Sequence, residues 1–255
     1  MPAPTTEILA ELDRLLEPAR FSDYCANGLQ VPGPATVSTI ATGVSAQAEL
    51  FDLAAGEDAD LLLVHHGLFW DSPGVRTIDP TLKRRLKTLF DADIALAAYH
   101  LPLDAHPEHG NNALIARALD ATELEPFALH KGQPIGFVAT LPDDGVTAAE
   151  LVARIHAITS REPLIYDAGP ERIRRLGIVS GGGADYLPDA HAASADAFLT
   201  GEIPERTMGQ ARELGIHVIA AGHYATETFG VRSLGDHLAE RFDLKHVFLD
   251  VPNPV

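Results

Sequence analysis

The chain has 255 residues, enough for one large or two medium domains with a proper core, and 46% of them are hydrophobic, which excludes a disordered composition. With 19 Lys+Arg against 36 Asp+Glu, the formal net charge is -17, so the surface repels nucleic-acid backbones and argues against broad DNA or RNA binding. No apolar run approaches the length of about 20 residues that a membrane span needs.

Met1-Pro2-Ala3-Pro4-Thr5-Thr6-Glu7 lacks a basic region followed by an apolar core, so no signal peptide is expected. Residues 5–16 predict an amphipathic helix capped by Thr5 or Thr6, with Ile8, Leu9, Leu12, Leu15 and Leu16 on one face, ended by Pro18. Cys25, the one cysteine, rules out an intramolecular disulfide and a Cys-based zinc cluster, and fits a reducing cytoplasm. Asn27-Gly28 is turn chemistry, and Leu29-Gln30-Val31 starts an extended piece.

Ser38–Val44 predicts a strand, Ala46–Ala55 a helix and Leu61–Val64 a buried strand, a β-α-β pattern that favours parallel pairing. The last strand ends in His65-His66-Gly67. Open α/β folds place their chemistry beyond the carboxyl ends of such strands, and imidazole is the commonest metal ligand. Leu68-Phe69-Trp70 and Ser72-Pro73-Gly74 read as a loop, and residues 80–90 as a helix with a basic, solvated face. A buried strand over residues 94–99 ends at His100, and Pro102 predicts a loop between His100 and Asp104. Residues 111–119 predict a helix with Asn111 or Asn112 as cap.

The middle of the chain carries less chemistry. Strands are expected at Pro134–Leu141, Pro163–Tyr166, Arg175–Ser180 and Ala197–Thr200, and a Thr147-capped helix at Thr147–Thr159, with His156 on its surface. Gly181-Gly182-Gly183 matches neither the P-loop nor the dinucleotide fingerprint. His217–Ala221 is the last buried strand and ends at Gly222-His223; a helix follows to about Phe242, then a strand near Val247–Val251. His106, His109, His130, His191, His217, His237 and His246 show no ligand constellation and read as solvent-facing or structural.

The second half echoes the first. A shift of 123 residues lays Ala97-Ala98-Tyr99-His100 to Asp104 on Ala220-Ala221-Gly222-His223 to Glu227: a buried strand, a His at its end and a carboxylate four residues on. Val44-Ser45 matches Val179-Ser180, Ala59-Asp60 matches Ala195-Asp196, and Gly201-Glu202 stands where the first half has His65-His66. The expected division is a first α/β repeat over 1–125 and a second over 126–255.

The candidate metal ligands are His65, His66, Asp104, His223 and Glu227, with His100 close by. Adjacent residues on a strand point to opposite sides, so His65 and His66 suit two ions better than one. A dinuclear site usually has a bridging carboxylate, and Glu227 suits that role because it continues the apolar face of Val231, Leu234, Leu238 and Phe242 at a helix N-terminus. An N/O set without thiolate is compatible with Zn, Mn, Fe, Co or Ni.

These residues resemble the family of GTP cyclohydrolase 1 type 2 homologues, also called the NGG-interacting-factor-three-like family. The resemblance is carried by Asn27-Gly28-Leu29-Gln30-Val31, Leu63-Val64-His65-His66-Gly67, Tyr99-His100-Leu101-Pro102-Leu103-Asp104, Phe198-Leu199-Thr200-Gly201-Glu202 and Ala221-Gly222-His223-Tyr224-Ala225-Thr226-Glu227. It implies an α/β fold of two intertwined, duplicated units with mixed sheets flanked by helices, and a homohexamer with metal sites facing an internal cavity. It implies two divalent ions per chain: His66 and Asp104 on one, His65 and His223 on the other, Glu227 on both, with His100 beside them as a proton carrier.

Two functions are compatible with this. The first is a metal-dependent hydrolase acting on a small molecule, a nucleotide such as GTP or another phosphorylated or cyclic metabolite, with Arg174, Arg175 and Arg206 as groups that could hold phosphate. The second is a non-catalytic regulatory or scaffold protein whose ions tie the halves together.

Overall fold

The computed structural model describes residues 1–71 and 77–255, so the Ser72-Pro73-Gly74 loop lies outside the described residues. In chain order the elements are β1 (Ala3–Pro4), α1 (Thr5–Leu16), β2 (Gly28–Val31), β3 (Thr36–Val37), β4 (Thr39–Ser45), α2 (Ala48–Gly56), β5 (Leu61–His66), α3 (Pro80–Asp91), β6 (Ala95–Ala98) and α4 (Leu101–Asp104). Then come α5 (Asn111–Ala118), β7 (Leu124–His130), β8 (Gln133–Thr140), α6 (Ala148–Thr159), β9 (Leu164–Tyr166), β10 (Arg175–Val179), α7 (Leu187–Ala192) and β11 (Ala197–Thr200). The chain finishes with α8 (Thr207–Leu214), β12 (His217–Ala220), α9 (His223–Thr226), α10 (Thr228–Phe242) and β13 (Lys245–Phe248). No described helix is long and apolar enough to cross a membrane.

Packing divides the chain into Met1–Leu103 with Gly230–Val251, and Asp104–Phe229 with Pro252–Val255. The division falls at Leu103, earlier than the expected 125/126, and the first unit takes back a later segment. The physical reason is local. In the second unit α5 packs on β8 and β10, while Val231, Leu234 and Leu238 of α10 bury against Ile8, Leu12, Leu61 and Leu63 of the first.

The first unit is built on a mixed sheet in the order β13-β4-β5-β6-β2, with β13, β4, β5 and β6 parallel and β2 antiparallel. Leu61 to Val64 are each fully buried, as a central parallel strand requires. Alternation splits them between two layers: Leu62 and Val64 pack with Leu50, Phe51 and Leu89, and Leu61 and Leu63 with α1 and α10. The Thr5 hydroxyl does not cap α1; it donates to the Pro34 carbonyl at 2.6 Å.

The second unit carries a mixed sheet in the order β7-β8-β10-β11-β12-β9, parallel only across β10, β11 and β12. Leu151 and Ile155 of α6 and Ile115 of α5 pack on Leu176, Ile178, Leu199 and Ile219 of the sheet. Thr147 forms the expected cap as a reciprocal capping box with Glu150.

The same device opens the central strands of both units. The Asp60 carboxylate accepts the Ser38 and Thr39 amides at 2.7 and 3.0 Å. The Asp196 carboxylate accepts the Arg174 and Arg175 amides at 2.8 and 3.0 Å. These are the positions that the internal repeat aligns.

Pro102 does not prevent a helix. Leu101–Asp104 is a single helical turn with Pro102 in its first turn, where the missing N–H has no intrahelical partner to lose. The single helix expected from after Gly222-His223 to about Phe242 is divided: α9 ends at Thr226, and Glu227 stands between α9 and α10.

Leu62→Ala removes a large side chain from the centre of the first sheet. The expected loss is about 2–5 kcal/mol of stability, read as a lower urea midpoint.

Candidate metal centre

In the first unit three imidazoles gather beyond β5 and β6. The ligating nitrogens of His65, His66 and His100 lie within 4.8 Å of one another. The His65 and His66 rings are 4.7 Å apart by centroid, closer than strand alternation predicts for neighbours that both lie in β5. The rings of His65 and His100 are 5.0 Å apart.

Each ring is held by Nδ1. That of His65, fully buried, donates to the Tyr99 carbonyl at 3.1 Å. A carbonyl only accepts, so the proton sits on Nδ1 and the lone pair on Nε2. His66 Nδ1 is 3.0 Å from the Ser45 hydroxyl. His100 Nδ1 donates to Asp23 at 2.9 Å. The Asp23 carboxylate also accepts from the Cys25 and Leu101 amides and from Asn27. Burial pushes the Asp23 carboxyl up, but His100 and these donors outweigh it and hold it well below the usual carboxylate range.

The Asn27-Gly28-Leu29-Gln30 segment is therefore more than a turn. Asn27 Oδ1 accepts the His100 amide at 2.8 Å, and Gln30 Oε1 accepts the Leu68 amide at 2.7 Å, just after the histidine pair. Beside it lies a cleft of about 220 Å³ lined by Asp23, Tyr24, Cys25, Ala26, Phe69, Trp70 and Asp71.

In the second unit, Asp104, His223 and Glu227 are the candidate ligands. Asp104 and Glu227 are buried. Asp104 Oδ1 accepts from Asn111 Nδ2 at 2.9 Å and from the Ser180 hydroxyl at 3.2 Å. Neither Asn111 nor Asn112 caps α5, whose cap is Gly110; Asn112 donates to the Asp104 and Ile135 carbonyls.

His223 Nε2 lies 3.2 Å from Glu227 Oε2, and its Nδ1 3.0 Å from Glu202 Oε1. Burial opposes charge on this ring, but the hydrogen bonds and charges of Glu227 and Glu202 outweigh it and raise its pKa to about 9. Gly181 forms the wall of this pair. Its φ is +59°, and a Cβ there would come within 2.0 Å of Glu227 Oε1 and 3.0 Å of His223 Nε2.

Buried carboxylates and imidazoles with lone pairs fixed by their neighbours are a donor set suited to a borderline divalent metal. The residues present fit such an ion. The three arginines considered as phosphate holders are each paired with a carboxylate: Arg174 with Asp144, Arg175 with Glu125 and Arg206 with Asp185. Of the three, Arg206 borders a cleft, about 290 Å³ in volume, together with Gly182, Asp185 and Glu202.

Four of the other histidines have ordinary partners. His217 Nε2 donates to the Pro170 carbonyl, His237 pairs with Glu11, and His246 with Asp236. His156 lies on the surface, 3.5 Å from Glu162.

Residues 4–254 match the family model described as Duf34/NIF3 (NGG1p interacting factor 3). The chain belongs to this family. Its relatives include a protein of Pseudomonas aeruginosa, 46% identical over 247 residues and covering 97% of each chain. Another, from Escherichia coli (strain K12), is 45% identical over 255 residues and covers 98% of each. Both are named GTP cyclohydrolase 1 type 2 homolog. Among solved structures, the chain is similar to "protein ybgI, unknown function", with a TM-score of 0.89 and 42% identity over 99% of this chain and 100% of that one. TTHA1606 from Thermus thermophilus is also similar, with a TM-score of 0.88 and 39% identity at the same coverage.

Asp23 and Glu202 escaped the sequence reading as partners of the imidazoles. A partial signal was present: Asp23 lies four residues before the Asn-Gly-Leu-Gln segment, and Glu202 occupies the place of the histidine pair in the second repeat.

Two outcomes follow from this geometry. Burial pushes the Cys25 thiol up to about 11. At pH 8 roughly one thiol in a thousand is then ionised, so iodoacetamide alkylates native Cys25 at least about 100-fold more slowly than the urea-unfolded chain, with the native rate rising as pH rises toward 11. Gly181→Ala forces a side chain into a left-handed backbone against Glu227 and lowers stability by about 1–3 kcal/mol in urea unfolding. Gly209→Ala, where a Cβ meets nothing within 4 Å, does not.

Proposed function

We propose that this chain binds two divalent metal ions and uses them for hydrolysis of a small molecule, a nucleotide or another phosphorylated or cyclic metabolite. The proposed ligands are His66 and Asp104 for one ion, His65 and His223 for the other, and Glu227 for both. The observation that carries the reading is the preparation of the donors. In the first unit three imidazoles bring candidate ligand nitrogens within 4.8 Å, and His65 keeps its lone pair on Nε2 by giving Nδ1–H to the Tyr99 carbonyl. In the second, buried Glu227 stands 3.2 Å from His223.

When bound, such ions supply Lewis acidity toward a substrate oxygen and toward water. The chain's own residues supply the rest. His100, with Nδ1 given to Asp23, takes up or releases a proton at Nε2. The 220 Å³ cleft edged by Tyr24 and Trp70 offers an aromatic wall for a planar ring. The relatives' shared name supports a nucleotide as the first substrate class to try. The paired state of Arg174, Arg175 and Arg206 and the net charge of -17 favour a substrate with few phosphates over a polyphosphate.

The test begins with metal content. After loading and dialysis, mass spectrometry should find two ions per chain, with at least one lost in His65→Ala and in Glu227→Ala. With GTP and a panel of phosphoesters, turnover should fall at least about 100-fold in both variants while their circular dichroism stays native. A chain that takes up no metal would sink the proposal, and turnover that survives complete metal removal would sink its catalytic half.

A further inference from the structure

Glu202 has no part in the ligand set above, yet its place is tightly fixed. The amides of Gly201 and Glu202 both donate to the Gly181 carbonyl, at 2.9 and 3.1 Å, and the Gly222 amide donates to the Gly201 carbonyl at 2.8 Å. Gly201 is needed for this approach, since a Cβ there would lie 2.6 Å from His223 Cα. The loop after β11 is thereby pressed against the start of α9, and the Glu202 carboxylate meets His223 Nδ1 at 3.0 Å.

We propose that Glu202 is the positioning residue of His223: its carboxylate accepts the Nδ1–H, fixes the ring's tautomer and aims Nε2 at a divalent cation. The inference rests on the reading that His223 is a ligand. An imidazole that binds metal through one nitrogen needs an acceptor on the other, and a carboxylate there orients the ring and strengthens Nε2 as a donor. Glu202 suits this role better than a buried acid would. About half exposed, on the wall of the 290 Å³ cleft, it keeps its hydration and needs no second partner to offset desolvation. Arg206, on the same wall, is engaged by Asp185 and does not compete for it. His65 has the same arrangement with a different acceptor, the Tyr99 carbonyl.

The test uses the full chain, stripped of metal and titrated with Zn²⁺ against a chromophoric chelator. Glu202→Ala should weaken binding of one ion about 10–100-fold and Glu202→Gln less, with both ions still bound at saturation. Nitrogen-15 NMR of the zinc-loaded chain should show His223 protonated on Nδ1, and that signal should be lost or mixed in Glu202→Ala. Zinc binding unchanged in His223→Ala would overturn the ligand reading and this inference with it. Binding weakened in His223→Ala but within twofold of wild type in a folded Glu202→Ala would overturn this inference alone.

Discussion

A histidine buried at the end of a strand has two nitrogens, and the protein must claim one to define the other. That constraint organises both units. Tyr99 gives a carbonyl to His65, Asp23 a carboxylate to His100 and Glu202 a carboxylate to His223. None of these acceptors has a proton to give, so each holds a hydrogen on the Nδ1 it faces and leaves Nε2 as the nitrogen that can bind a metal. The segments that supply these acceptors look unrelated in sequence. The loop before β2, the end of β6 and the loop after β11 share only that they finish beside an imidazole.

The internal repeat gives the constraint a common frame. Each unit lines up three adjacent parallel strands, β4-β5-β6 and β10-β11-β12, whose carboxyl ends emerge at one edge of its sheet. Asp60 and Asp196 anchor the opposite ends by the same pair of amide bonds. Ser45 and Ser180 close the first strand of each triplet, and each hydroxyl meets a candidate ligand, His66 in one unit and Asp104 in the other. The framework is shared, while the chemistry has diverged: the second strand ends in His65-His66 in one copy and is followed by Gly201-Glu202 in the other.

Much of this was legible in the chain because the signals were local. Leu61–Val64 reads as a central strand because four consecutive large apolar residues have no polar face, and Thr147 reads as a cap because Glu150 follows three residues on. The failures have equally local causes. Pro102 suggested a loop, but proline is tolerated in a first helical turn, so α4 forms. Asn111 and Asn112 carried cap chemistry, but α5 starts one residue earlier, so both lie inside it; Asn111 donates to the Asp104 carboxylate and Asn112 accepts the Ser180 amide instead. Asp23 lies 77 residues from His100, and Glu202 lies 21 residues from His223. Pattern spacing along one element cannot show such pairings, because tertiary closure creates them.

The division of the chain also sets an order of events during synthesis. Residues 104–229 are continuous and hold every strand of the second sheet, so that sheet can close as soon as they leave the ribosome. The first sheet cannot. Its β13 edge and the α10 layer over Leu61 and Leu63 come from residues made more than a hundred positions later. Until then α1 alone covers that apolar face of the His65-His66 strand, and the nascent chain carries the rest of it exposed through the whole translation of its neighbour.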